Sequence, residues 1–216
     1  MNALNFKIPD SIIFDLDGTL WDASVACTEA WNTTFNQSGY GGHVLTQSNI
    51  HSFAGLKLET IFKQHLPFIP EHEHSQIISR YSENESRLMS SMGGILYPEV
   101  SEVLNELSAT FKLFVVSNCL KGYIENFIRL NNLQNVFSDF ESSGNTGLTK
   151  SENIRLIIER NNLKNAVYVG DTPLDYEAAK SNNIPFVYAS YGFGFVDDFE
   201  YCVEHFNELK QLLPSK

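Results

Sequence analysis

The sequence predicts an α/β protein, a doubly wound, Rossmann-like core built on a parallel sheet, with a small all-helical cap inserted after the first strand. Three observations predict it. The run Ser11-Ile12-Ile13-Phe14 near the start has the β-branched and aromatic density of a buried strand. Residues 21–93 then carry helical periodicity and no convincing buried strand. From Pro98 onward, β-like runs alternate with helical runs of the length that crossovers in a parallel sheet require.

The elements follow in order. After the first strand, "WDASVACTEAWNTTF", "LKLETIFKQHL" and "EHEHSQIISRYSENESRLMSSM" place apolar residues three and four apart, as amphipathic helices do. Trp31 and Phe35 fall one helical turn apart and are expected in the core of this insert, and Trp21 is expected to pack as core or to line the hinge. "NQSGYGGH" breaks the first helical hairpin, and Gly93-Gly94 ends the insert. A helix over 99–109 comes next, then the strand "KLFVVSN", the helix "KGYIENFIRLNN" and a short strand near "FSDFESS". The helix "SENIRLIIERNN", the strand "NAVYVGD", the helix "LDYEAAKSNN" and the strand "PFVYAS" complete the pattern. The expected division is a core of 1–20 and 94–216 and a cap of 21–93.

With 216 residues the chain is long enough to bury a sizeable core. Fifteen Lys and Arg against 26 Asp and Glu give a net charge of -11, which argues against nucleic acid or an anionic membrane as partner. Any anionic substrate must be held by local cations. The start "MNALNFKIPD" lacks the basic flank and apolar stretch of a signal peptide, and no run reaches the ~18 apolar residues of a membrane span, so a cytoplasmic location is expected. Cys27, Cys119 and Cys202 fit no metal-ligand spacing and are expected to be thiols in a reducing compartment. "EHEH" at 71–74 is expected to be a solvated helix start, because neighbouring helix positions do not face one another. The charge and pattern are compatible with a monomer or a homodimer.

Ligands of parallel sheets collect at the carboxyl ends of the strands. Asp15 and Asp17 stand there after the first strand, Ser117 and Asn118 after "FVV", and Asp171 after "VYVG", with Asp175 four residues on. Asp17-Gly18 could be no more than a turn, and Asp175 no more than an exposed acid in a first helical turn. Lys150 lies at a helix start, where the macrodipole disfavours a cation unless an anion shares the site. A carboxylate nucleophile, a second acid, a hydroxyl, a lysine and a further acidic pair are the parts that phosphoryl transfer through an aspartyl phosphate requires.

"FDLDGTL", "VVSN", Lys150 and "VGDTPLD", in this order, resemble the four motifs of the haloacid dehalogenase superfamily, and the helical insert resembles its cap. "VGDTPLDYEAAKSNNIPFVYASYGFG" is similar to the phosphoglycolate phosphatase-like branch. The resemblance implies a Mg2+-dependent phosphatase acting on a small phosphorylated metabolite, phosphoglycolate-like or a sugar phosphate. By it Asp15 is the nucleophile and Asp17 the acid and base. Ser117, the amide of Asn118 and Lys150 cradle the phosphoryl group, with backbone amides of Leu16 to Gly18 adding to the cradle, and Gly18 lets the chain turn tightly there. The implied metal set is Asp15, Asp17 through its backbone carbonyl, Asp171, and Asp175 as a ligand or as the group that orients Asp171 or a metal-bound water.

Two features depart from the family. Ser151 follows Lys150 where proline is frequent, and is expected to cap the helix "SENIRLII". Leu58 stands where β-phosphoglucomutase-like relatives carry a basic residue three positions after a cap glycine, here Gly55, which favours a phosphatase over a mutase. Asp17 argues against a carbon-halogen hydrolase, which needs no second acid. A phosphonatase would need a cap lysine, with Lys57 and Lys63 as candidates. A receiver-type signalling protein and a noncatalytic phosphate-binding relative are the readings from other classes.

Overall fold

The computed structural model describes residues 9–213. The start "MNALNFKI" lies outside them, so the expectations placed on it are not addressed. The chain runs through β1 (Ser11–Phe14), β2 (Trp21–Asp22), α1 (Ser24–Gln37), α2 (Gln47–Ser52), α3 (Leu58–His65), α4 (His74–Ser91) and β3 (Ile95–Leu96). It continues with α5 (Val100–Ser108), β4 (Lys112–Ser117), α6 (Tyr123–Leu130), β5 (Phe137–Ser142), α7 (Ser143–Thr146) and α8 (Lys150–Arg160). The last elements are β6 (Ala166–Gly170), α9 (Pro173–Ser181), β7 (Phe186–Ala189), β8 (Tyr201–Val203) and α10 (Leu209–Leu212).

Six strands form one parallel sheet in the order β5-β4-β1-β6-β7-β8. β1 is central, and successive β-side chains point to opposite faces. Ile12 and Phe14 therefore join Leu113, Val115, Val167 and Val169 under α5, α6 and α10, while Ile13 joins Phe114, Val116 and Tyr168 under α8 and α9. Both faces are covered, which is why these strands read as continuous apolar runs. The chain reverses direction across the sheet at β1, with β4 on one side and β6 on the other. The carboxyl ends of these three strands are thus neighbours.

The cap has its own core. Trp31 stacks on Tyr81 with ring centroids 4.0 Å apart, and Phe35, Phe53, Ile61, Phe62 and Ile77 close around them. Trp31 and Phe35 are cap core, as expected. α2 was not anticipated, since its six residues bury none of their side chains and so carry no apolar period. The insert is also not free of strand: Trp21 pairs with Leu96 and Asp22 with Ile95 in a two-stranded antiparallel ribbon that joins cap to core. Two residues a side are too short to show a period of two. "EHEH" forms a short turn of 3-10 helix that leads into α4, as a helix start should.

Candidate active site

Asp15 follows the last residue of β1. Its amide donates to the Val169 carbonyl at 2.9 Å, which locks the strand end to β6, and its side chain is 3% exposed. Lys150 Nζ donates to Asp15 Oδ1 at 2.8 Å and to Asp175 Oδ1 at 2.6 Å. Lys150 is buried at the first position of α8, and these two anions are the compensation that a cation there needs. The cap of α8 is Thr149 and not Ser151: Thr149 accepts from the Glu152 amide while Glu152 accepts from the Thr149 amide, a capping box two residues earlier than expected. Ser151 instead accepts from Asn182.

Asp17 turns the other way. Tyr123 OH donates to its Oδ1 at 2.8 Å and Trp21 Nε1 donates to the same oxygen at 3.0 Å. Oδ2 makes no hydrogen bond among the described residues. Burial pushes Asp17 up to about 6, against the opposing pull of Tyr123 and Trp21. Trp21 is therefore both core, fully buried against Phe127 and Tyr123, and a donor to the site. Gly18 has φ +86°, and a Cβ there would collide with the Asp171 carboxylate. The close approach that demands glycine is therefore to a site acid.

Asp171 is fully buried, with Oδ1 accepting from Thr19 at 3.2 Å and Oδ2 from the Phe193 amide at 2.8 Å. A Cβ on Gly192 would strike Asp171 and the Gly18 carbonyl, which accounts for the small residue in the segment after β7. Burial, then Asp175, pushes Asp171 up to about 7. Burial and then Asp175 also push Asp15 up, with Lys150 opposing.

Asp175 is the most heavily bonded of the acids. Beyond Lys150, its Oδ1 accepts from Tyr168 OH, and its Oδ2 accepts from the amides of Asp171 and Thr172 and from Thr172 Oγ1. It is fully buried and is the third residue of α9's capping box, so it is not an exposed first-turn acid. One oxygen each of Asp15, Asp171 and Asp175 lies within 4.8 Å of the others, a spacing that could hold a metal ion. A carboxylate offers about four lone-pair sites. Those of Asp175 are taken up, whereas Asp15 and Asp171 retain free ones.

Ser117 and Asn118 follow as predicted at the end of β4, and both line the cavity above Asp15. The side chain of Asn118 has a further attachment. Its Nδ2 donates to the Gly55 carbonyl of the cap at 2.7 Å and its Oδ1 accepts from Ser143, so the side-chain amide ties cap to core. His51 of α2 also stacks on Phe193 of the core, with centroids 4.2 Å apart. Thr19, Tyr123, Tyr168 and the Phe193 amide escaped the sequence reading. Of these, only Thr19 carried a local signal, as the residue after Gly18.

Three buried carboxylates and one ammonium thus stand together at the switch point of a parallel sheet beneath a helical cap, and its family and relatives make the chain a phosphoric monoester hydrolase. The chain belongs to the haloacid dehalogenase-like hydrolase family, whose model matches residues 12–189. It is 25% identical over 215 residues to a phosphoglycolate phosphatase from Colwellia psychrerythraea, covering 92% of this chain and 94% of that one. It is 27% identical over 189 residues to one from Aquifex aeolicus, covering 84% and 85%. A haloacid dehalogenase-like family hydrolase from Streptococcus pneumoniae superposes with a TM-score of 0.83 at 22% identity, covering 94% of this chain and 97% of the other. Among the described residues, no helix is long and apolar enough to cross a membrane.

Proposed function

We propose that the protein is a Mg2+-dependent phosphatase that cleaves a small phosphorylated metabolite, phosphoglycolate-like or a sugar phosphate, through an aspartyl phosphate on Asp15. The observation that carries this reading is Asp15 itself: a buried carboxylate on the cavity floor, fixed by Lys150 through one oxygen and free at the other. Asp15 Oδ2 attacks phosphorus, the bond to the leaving oxygen breaks, and Asp17 Oδ2 gives that oxygen a proton. Asp17 then takes a proton from the water that hydrolyses the acyl phosphate. Lys150 and Ser117 face the transferring oxygens, and Trp21 and Tyr123 hold Asp17 by its other oxygen.

The donor set fits a hard divalent cation. Three buried acids face one ammonium, the free lone pairs are all carboxylate oxygens, and the upward push on Asp15 and Asp171 reflects this shortage of positive charge. Asp15 and Asp171 would hold Mg2+, with the Asp17 carbonyl as a further oxygen, and Asp175 serves by holding Lys150. When bound, the cation neutralises the approach of carboxylate to phosphate.

The ribbon of Trp21–Asp22 and Ile95–Leu96 is taken as the joint between a cap of about 21–93 and the core, and the Asn118 to Gly55 bond as a latch of the closed state. The enzyme is read as a cytoplasmic monomer or homodimer. Turnover of p-nitrophenyl phosphate with Mg2+, lost in Asp15→Asn and on chelation, is the test. Full-rate turnover in either case would refute the scheme.

A further inference from the structure

The cavity that starts at Asp15 continues into the cap, where a few polar side chains stand among apolar ones in its lining. Glu85 of α4 is 7% exposed and lines it, with Tyr81 OH donating to Oε1 at 2.6 Å. Glu85 Oε2 has no partner among the described residues. Ser24, at the start of α1, lines the same cavity, is 3% exposed, and its Oγ has no hydrogen-bond partner. Of these two groups only the Glu85 oxygen opens into the cavity, since Ser24 Oγ is sealed from its surface. A nearly buried carboxyl group with one oxygen held by Tyr81 and the other open to a cavity points to a ligand that pairs the open one.

The charge of that space narrows the ligand. Among the described residues Lys150 is the only cationic side chain lining the cavity, and Asp15 and Asp175 already share it. A second anionic group on the substrate would meet no cation and would lie against a carboxyl group, an uncompensated burial. Burial pushes Glu85 up to about 8, so near neutrality it is mostly a carboxylic acid, able both to donate and to accept. Asp17 adds to that push. The cavity, about 120 Å³, is well below the ~300–1,000 Å³ of drug-sized ligand sites and excludes a bulky leaving group.

We propose that Glu85 and Tyr81 form the leaving-group subsite, and that it selects a compact phosphate monoester whose leaving group carries neutral hydroxyls, of the polyol or sugar type, over one that carries a carboxylate. The inference rests on the phosphatase reading above and separates this chain from the substrate in the names of its two bacterial relatives. The test compares hydroxyethyl phosphate with phosphoglycolate, which are close in size and differ in a hydroxymethyl group for a carboxylate, under Mg2+. The wild-type protein should favour hydroxyethyl phosphate in kcat/KM by about tenfold or more, the worth of one well-made buried hydrogen bond. Glu85→Leu should bring the ratio to within about threefold of unity, and Tyr81→Phe, which frees the carboxyl group from its holder, should lower it by about threefold. Equal or faster hydrolysis of phosphoglycolate by the wild type overturns the subsite and leaves the phosphatase reading standing, as does a ratio unmoved in either variant. Failure to turn over either ester or p-nitrophenyl phosphate overturns both.

Discussion

Replacing Asp175 by Asn separates its two possible roles, lysine holder and metal ligand. The side chain receives Lys150 at 2.6 Å and Tyr168 on one oxygen, and three donors at 2.6 to 3.2 Å on the other. An amide keeps one acceptor oxygen. Whichever way it turns, its NH2 group faces donors, and buried groups that had been charge-assisted are left unpaired at ~1–3 kcal/mol each. Removing a charge also relieves the repulsion that Asp175 exerts on Asp15 and Asp171. The loss of donors wins, because at least two of them are orphaned while Lys150 retains Asp15. The net cost is ~3–5 kcal/mol, the range for breaking a buried pair. At ~2–4 °C per kcal/mol for a chain of this size, thermal unfolding followed by circular dichroism in EDTA should show Tm lower by ~6–20 °C. The Mg2+ concentration for half-maximal activity, measured well below that Tm, should move less than about threefold. A metal-free Tm within ~2 °C of wild type, with Mg2+ affinity weakened more than tenfold, would refute the reasoning and make Asp175 a ligand.

Glu85 makes stability fall with rising pH. Its folded value, about 8, lies above the ordinary 4.5, so below pH 4.5 both states are protonated and no cost exists, and between 4.5 and 8 the unfolded chain ionises while the fold resists. With Tyr81 and Asp17 facing it, Glu85→Gln should therefore gain ~2–4 kcal/mol over wild type at pH 8 and little at pH 4.5 in urea unfolding; equal gains at both would remove the claim. Asp17 should lose its acid form above about pH 6, so kcat/KM for an alkyl ester should decline there while p-nitrophenyl phosphate is spared. Tyr123→Phe removes a donor that lowers Asp17, and should move that decline to higher pH; a shift downward would contradict the contact. Gly18→Ala would force a Cβ into Asp171 and a strained φ, so Mg2+ affinity by calorimetry should fall by tenfold or more, the ~10–100-fold typical of disturbing the support of a metal site; unaltered affinity would show that the loop yields freely.

The sheet was legible because β1, β4 and β6 are buried on both faces and leave apolar runs, and the site because each of those runs stops at an acid or a hydroxyl. Lys150 was legible from its discord with the helix dipole alone. What escaped has a common cause: it depends on contacts between distant segments, or on elements too short for a period. Tyr123 reaches Asp17 across 106 positions, and within its helix it reads as one more apolar residue. Glu85 lies in a run of Ser, Glu and Asn that reads as a solvated face, yet α1 packs over it and buries it. β8 has three residues, and its pairing with β7 is what makes it a strand. Thr149 was passed over because Ser151 is an equally good capping type, and only the pairing with Glu152 decides between them.

The central claim is that Asp15 carries the phosphoryl group between two displacements at phosphorus. Each in-line displacement inverts configuration, so two restore it. Hydrolysis of an isotopically chiral phosphate ester in labelled water, followed by configurational analysis of the released phosphate, reads the number of steps directly. Retention at phosphorus is the predicted result. Inversion would mean that water attacks the ester in a single step, and would leave Asp15 without the role proposed for it.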